Sequence, residues 1–242
     1  MEKVVPIRDS IYLDFLSKFG VGGAHPGGFE LTKEILQGER IHAGTRILDA
    51  GCGTGQTAAY LASTYEARVI GVDINPIMVE KAKQRMEKNN LPVKIIQGSI
   101  EKLPLKGGMF DLILSESVLS FVNKPRALQE IYRLLKPGGR FIANELTVNK
   151  KPEEWVENEI KTFYGFDSLP VERDWISLLE RIGFKNIKIH SQTTPILQHQ
   201  ATPEFHYSAH IDPKLYAVMN QHFQMIAKYH EILDYRIFSC SK

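Results

Sequence analysis

Residues 47–55 read Ile47-Leu48-Asp49-Ala50-Gly51-Cys52-Gly53-Thr54-Gly55, an apolar run that carries an acid near its end and opens into three alternating glycines. Glycine in such a turn takes positive φ and lets a ligand approach the backbone where a Cβ would collide. Asp73 lies 22 residues beyond Gly51, after the apolar run 68–72. A carboxylate at that strand end accepts two hydrogen bonds from ribose hydroxyls. A tight turn with no ligand is the weaker interpretation, because turn, helix start and strand-end acid coincide at the spacing of a nucleotide fold. Two ligands fit, a dinucleotide and S-adenosylmethionine. The dinucleotide fingerprint Gly-x-Gly-x-x-Gly needs a glycine where Gln56 stands. Asp49 beside the turn repels a pyrophosphate but suits the ammonium of a methionine moiety. The signs favour S-adenosylmethionine.

Holding these residues takes an alternation of short strands and amphipathic helices, the pattern of a parallel sheet. Strands are expected at 45–50, 68–72, 92–97, 110–114 and 140–145. A helix follows the glycine turn through Ala58, Ala59, Leu61 and Ala62, and Asn75-Pro76 starts another as a cap and first-turn proline. Ala127, Leu128, Ile131, Leu134 and Leu135 stripe a third, which Lys136-Pro137-Gly138-Gly139 stops. Beyond residue 148 helices are expected at 152–163, 172–182 and 214–233, with strands at 185–190 and 235–240. Residues 8–38 read as helical on both sides of Ala24-His25-Pro26-Gly27-Gly28. No Pro/Gly/Ser linker interrupts the 242 residues, so one domain is expected, with a core at about 40–148 and flanking additions at about 8–38 and 192–233.

The run Ile47 to Gly55, Asp73, Gly98-Ser99-Ile100 with Leu103-Pro104, Phe110-Asp111-Leu112-Ile113 and Leu135-Lys136-Pro137-Gly138-Gly139 together resemble the class I S-adenosylmethionine-dependent methyltransferases. The resemblance is strong over about residues 40–148 and is nearest to the small-molecule branch that includes quinone-biosynthesis enzymes. It implies a Rossmann-like, doubly wound, seven-stranded and mostly parallel sheet whose last strand, 235–240, is reversed. It also implies that Asp49, Gly51 and Gly53 surround the methionine part, that Asp73 holds the ribose, and that Ile74, Ser99 and Ile100 border the adenine.

Methyl transfer from a sulfonium asks little of a protein beyond holding nucleophile, methyl and sulfur in line and dry. No catalytic triad is expected. Glu116 follows the fourth strand, where ligands of open sheets gather. It is a candidate to cap the donor or to meet the acceptor, against the plainer role of starting a short helix. His25, ahead of two glycines and a helix start, is a candidate to close over the donor, against a plain loop. Tyr207 is a third candidate, as one of several aromatics in the C-terminal flank that shape an acceptor pocket or simply fill a core. Glu145 ends the fifth strand in a position like that of Glu116. His206 and His210, four apart, have metal-ligand spacing, but Pro203 and Pro213 bracket too short a stretch for a firm helix and no third ligand stands out, so no metal is expected. The helical flanks are expected to act as a lid, with residues 25–29 and a helix within 192–233 covering the donor.

Several classes are disfavoured. Ser115-Glu116-Ser117-Val118 lacks the prolines typical of amino-methylating enzymes of DNA and protein. Cys52 and Cys240 are both misplaced for a cytosine nucleophile. The 30 basic and 28 acidic residues leave a net charge of +2 with no basic aromatic cluster, so nucleic acid is not an expected partner. With no long apolar run, no leader pattern and no disulfide framework, a membrane is not expected either, and the chain reads as cytoplasmic. A small-molecule acceptor remains. The rival class is a non-catalytic S-adenosylmethionine binder acting as a sensor or assembly subunit, and oligomeric state is not encoded in any motif.

Overall fold

The apolar runs around the glycine turn form the middle of a seven-stranded sheet in the computed structural model, which describes residues 10–190 and 203–242. The strands are β2 (Arg46–Ala50), β3 (Arg68–Asp73), β4 (Lys94–Gln97), β5 (Phe110–Glu116), β6 (Leu135–Val148), β7 (Lys185–His190) and β9 (Leu233–Ser241). Their order is β4-β3-β2-β5-β6-β9-β7. Pairing is parallel from β4 to β6, and β9 runs antiparallel to both its neighbours. The order reverses direction between β2 and β5, so their carboxyl ends leave a crevice, the place where open α/β sheets bind ligands.

Alternation along the strands decides the layers. Leu48, Ala50, Val72, Ile113, Phe141 and Phe238 face one side and join the core beneath α5 (Lys124–Leu134) and α7 (Glu172–Ile182). Ile47, Val69, Leu112, Leu114, Ile142 and Ile237 face the other and pack with α2 (Gly28–Gln37) and α3 (Gln56–Tyr65). Successive side chains of a strand point to opposite faces, so apolar residues at every position demand cover on both. The expected cap before α4 (Pro76–Lys88) is present: Asn75 accepts from Ile77 N at 2.9 Å and Met78 N at 3.3 Å, with Pro76 first in the helix.

Three boundaries differ from expectation. Residues 136–139 stop α5, but the chain enters β6 at Leu135 without a loop, because that segment already pairs with Phe110 of β5. The helix expected over 214–233 ends at Lys228 as α8 (Lys214–Lys228), and Leu233 already belongs to β9. Between α1 (Ile11–Phe19) and α2, Val21–Gly22 forms β1, antiparallel to β8, Glu204–Phe205. A strand of two residues has no period, so nothing in the sequence marks it.

α1, α6 (Glu154–Tyr164) and α8 join in a third apolar cluster beside the sheet. Inside it His222 Nδ1 lies 3.0 Å from Tyr164 Oη, and the ring sits 5.3 Å from that of Tyr12. Burial pushes the imidazole from its ordinary 6.5 down to about 4. The folded state therefore resists a proton that the unfolded chain accepts. The contribution of neutral His222 is intact above about pH 6.5 and is lost as pH falls towards 4, by roughly 3 kcal/mol. His222→Gln keeps a polar partner for Tyr164 and cannot titrate. Urea unfolding across pH 4 to 7 should show the stability difference between wild type and this variant shifting in the variant's favour as pH drops.

Candidate active site

The glycine turn and the ends of β2, β3 and β5 form the floor of a cavity of about 390 Å³. Gly51 N and Cys52 N both donate to Val72 O at 2.8 Å, which folds the turn back on β3. Gly51 sits at φ +86°, and a Cβ there would overlap Val118. At Gly53, φ +51°, a Cβ would meet nothing within 4 Å, so this part of the turn faces open space. Asp73 ends β3, and its carboxylate accepts from Gly53 N at 2.9 Å and Asn75 N at 2.8 Å. Asp73 thus ties the turn to the start of α4 as well as lining the cavity.

Asp49 is the penultimate residue of β2, 4% exposed, and its Oδ2 is buried with no hydrogen-bond partner. Desolvation, and then the charges of Glu116 and Asp73, push its carboxyl well above the usual range. Glu116 ends β5 and accepts from Thr32 Oγ1 at 2.6 Å and Thr57 Oγ1 at 3.0 Å. His25 Nε2 approaches it at 3.6 Å, with both side chains under a tenth exposed. At the far end Ile74, Ser99 and Ile100 form the border of the same cavity. The seven donor-site residues named from the family resemblance, together with Glu116 and His25, are therefore brought to one cavity.

Tyr207 is not. It is 57% exposed and stacks on Phe205 with ring centroids 5.5 Å apart, on the outer side of the β1–β8 ribbon. His206 and His210 do not line the cavity, and among the described residues no three His, Cys, Asp or Glu side chains gather as a metal site. The expected lid is also corrected in part. Leu13, Leu16 and Ser17 of α1 and residues 21–25 cover the cavity, but Pro26 to Phe29 do not reach it, since Gly27 at φ +77° turns the chain into α2. α8 contributes nothing to the lining and instead backs α1. Residues 192–202 of the expected C-terminal lid lie outside the described residues. α4 fastens the cover: Lys81 Nζ donates to the carbonyls of Lys18 and His206, and Arg85 joins Thr54 O at 2.8 Å to Glu204 at 2.8 Å.

Glu145 plays a part other than its strand-end position suggests. It is fully buried in β6 and does not line the cavity. Its Oε1 accepts from Ser115 Oγ at 3.2 Å, Val118 N at 3.1 Å and Leu119 N at 3.0 Å. It thereby pegs the loop that presents Ser117, at φ +57°, and Val118 to the cavity. Thr32 and Thr57, which hold Glu116, carry no sequence signal, because a threonine on a helix is ordinary until its neighbour is known.

Two substitutions test this geometry. Glu145→Ala strands two buried N–H donors at roughly 1–3 kcal/mol each, so the melting temperature should fall and the wall carrying Val118 should loosen. Glu145→Gln keeps the acceptor oxygen and should lose far less. Burial raises the Glu145 pKa to about 7, so its protonated form stabilises the fold below about pH 4.5 and that contribution fades as pH rises through 7. The Gln variant should lack this dependence. Asp73→Ala should cost stability as well as ligand affinity, because it frees Gly53 N and Asn75 N, and thermal melts without ligand would show it.

A family model described as methyltransferase domain matches residues 48–143. An uncharacterized methyltransferase of Bacillus subtilis, YodH, is 40% identical over 233 residues, covering 96% of this chain and all of that protein. Phosphoethanolamine N-methyltransferase 1 of Triticum aestivum is 30% identical over 182 residues, 74% of this chain but only 36% of that enzyme. Among solved structures, phosphoethanolamine N-methyltransferase 2 of Haemonchus contortus in complex with S-adenosyl-L-methionine superposes with a TM-score of 0.80 at 21% identity. The match covers 99% of this chain and 60% of that one.

Proposed function

This chain belongs to the S-adenosylmethionine-dependent methyltransferase family, and we propose that it transfers the methyl group in line to a small-molecule acceptor held under α1. The observation that carries this reading is Asp49, whose buried Oδ2 has no hydrogen-bond partner and whose side chain lines a cavity floored by open glycine backbone. A buried anion without a partner is costly, and an ammonium supplied by a ligand removes the cost. In this reading Asp49 takes the ammonium of the methionine part. Gly51 and Gly53 let that part lie against the backbone. Asp73 receives the ribose hydroxyls, and Ile74, Ser99 and Ile100 flank the adenine. When bound, the cofactor supplies an activated methyl on a sulfonium.

The protein's own task is then orientation and exclusion of water. α1 and residues 21–25 close the open side of the crevice, which protects a reactive sulfonium from solvent and brings acceptor and methyl together. The cavity takes lining from the flank and from the sheet core alike, so the chain acts here as one domain. A cavity volume of about 390 Å³, at the lower end of the range for ligand sites, supports a small-molecule acceptor.

Calorimetry with S-adenosylmethionine and S-adenosylhomocysteine tests the placement. Wild type should bind both, and Asp49→Asn should weaken binding by about one to two orders of magnitude, the loss expected when a charge-assisted contact becomes neutral. Asp73→Ala should act in the same direction. No binding by wild type at millimolar concentration, or equal affinity in wild type and Asp49→Asn, would overturn it.

A further inference from the structure

The wall of the cavity is charged with one sign. Asp49, Asp73, Glu101 and Glu116 line it, and no Lys or Arg does among the described residues. Glu101 is answered from outside, by Asn123 N at 2.9 Å and Arg126 at 4.0 Å. Asp73 is held by two backbone N–H groups. Asp49 is met by the donor's ammonium in the placement above. Glu116 is the anion that remains. Two threonine hydroxyls donate to its two oxygens, and His25 Nε2 lies 3.6 Å away. His25 comes to it from the cover and Thr32 from α2, so Glu116 sits where the cover meets the floor. Gln56 Oε1, a second buried acceptor atom on the lining, also lacks a partner. Leu13, Leu16 and Phe121 supply an apolar remainder.

We propose that the methyl acceptor is an amine that carries no phosphate, docked with its nitrogen towards Glu116. This rests on the methyl-transfer reading above and adds the acceptor's chemical class to it. The nitrogen lone pair of the free amine forms the new N–C bond. The C–S bond breaks with its electrons kept by sulfur, which becomes a neutral thioether. The positive charge leaves sulfur and reappears on nitrogen, so the cavity holds a cation before and after transfer. A carboxylate beside the nitrogen stabilises the charge as it develops. An N–H of the amine also satisfies Gln56 Oε1. A phosphate would enter a space walled by carboxylates, with no Lys or Arg among the described lining residues to meet it, at a like-charge cost in a low-dielectric site.

Calorimetry on the full chain saturated with S-adenosylhomocysteine decides this, with phenethylamine and phosphoethanolamine as probes. Phenethylamine should bind at least about tenfold more tightly than phosphoethanolamine, and Glu116→Gln should weaken it by about tenfold. Glu116→Asp, which keeps the charge, should retain most of the preference. Phosphoethanolamine binding as tightly as the amine, neither probe binding, or an unchanged amine affinity in Glu116→Gln would each overturn the proposal. A Glu116→Asp variant as weak as Glu116→Gln would assign the effect to shape and overturn it too. Should Glu116→Gln fail to fold by circular dichroism, the wild-type preference between the probes decides by itself. Failure of S-adenosylhomocysteine to bind wild type sinks the donor placement, whereas its binding without an amine preference sinks the acceptor class alone.

Discussion

Three carboxylates packed around one glycine turn are the constraint on which the rest of the molecule depends. Asp49, Asp73 and Glu116 lie at the ends of three adjacent strands, and the charges of Glu116 and Asp73 add to desolvation in raising the cost of ionising Asp49. The fold answers them unequally. Asp73 receives backbone N–H groups, and Glu116 receives hydroxyls from α2 and α3 and an imidazole from the cover. Asp49 receives nothing for its inner oxygen. The uneven treatment leaves a buried carboxyl oxygen without a partner where strand order reverses.

The cover follows from the same constraint. A site that holds buried charge loses its strength if water enters, because a high dielectric screens every contact. The sheet alone leaves one side open. Two segments far apart in the chain close it, with Val21–Gly22 paired to Glu204–Phe205 and both fastened to α4 by Lys81 and Arg85. The third apolar cluster then serves the site indirectly. α6 and α8 bury the back of α1, so that its front can present Leu13 and Leu16 to the cavity. His25 is where the cover touches the charged floor, through Glu116, with Thr32 of α2 beside it.

The gathering of Asp49, Gly51, Gly53 and Asp73 at one cavity is legible in the sequence because its geometry is local. Asp49, Gly51 and Gly53 sit within five residues, and Asp73 is one helix and one strand away, so spacing alone carries them to one place. The same logic gave the caps and the strand alternation. Glu145 was misjudged because a strand end indicates only that a side chain is near the crevice, and not whether it faces the ligand or the loop beneath it. Tyr207 was misjudged because aromatic residues in an insertion look alike whether they fill a pocket or stack on a surface. The lid was half legible: the helical flanks were evident, but which helix faces the cavity and which one backs it depends on packing between α1 and α8.

The sequence by itself determined the sheet, its glycine turn and the acids at the strand ends, because periodicity, glycine and strand-end chemistry act over a few residues and at fixed spacing. The tertiary structure alone decided what surrounds those acids. Thr32 reaches Glu116 across 84 positions and Asn144 reaches Pro26 across 118, and a two-residue ribbon joins Val21–Gly22 to Glu204–Phe205, far apart in the chain. Contacts of that range leave no period and no motif. They exist only when burial has fixed the elements, and they set which charge stays unpaired.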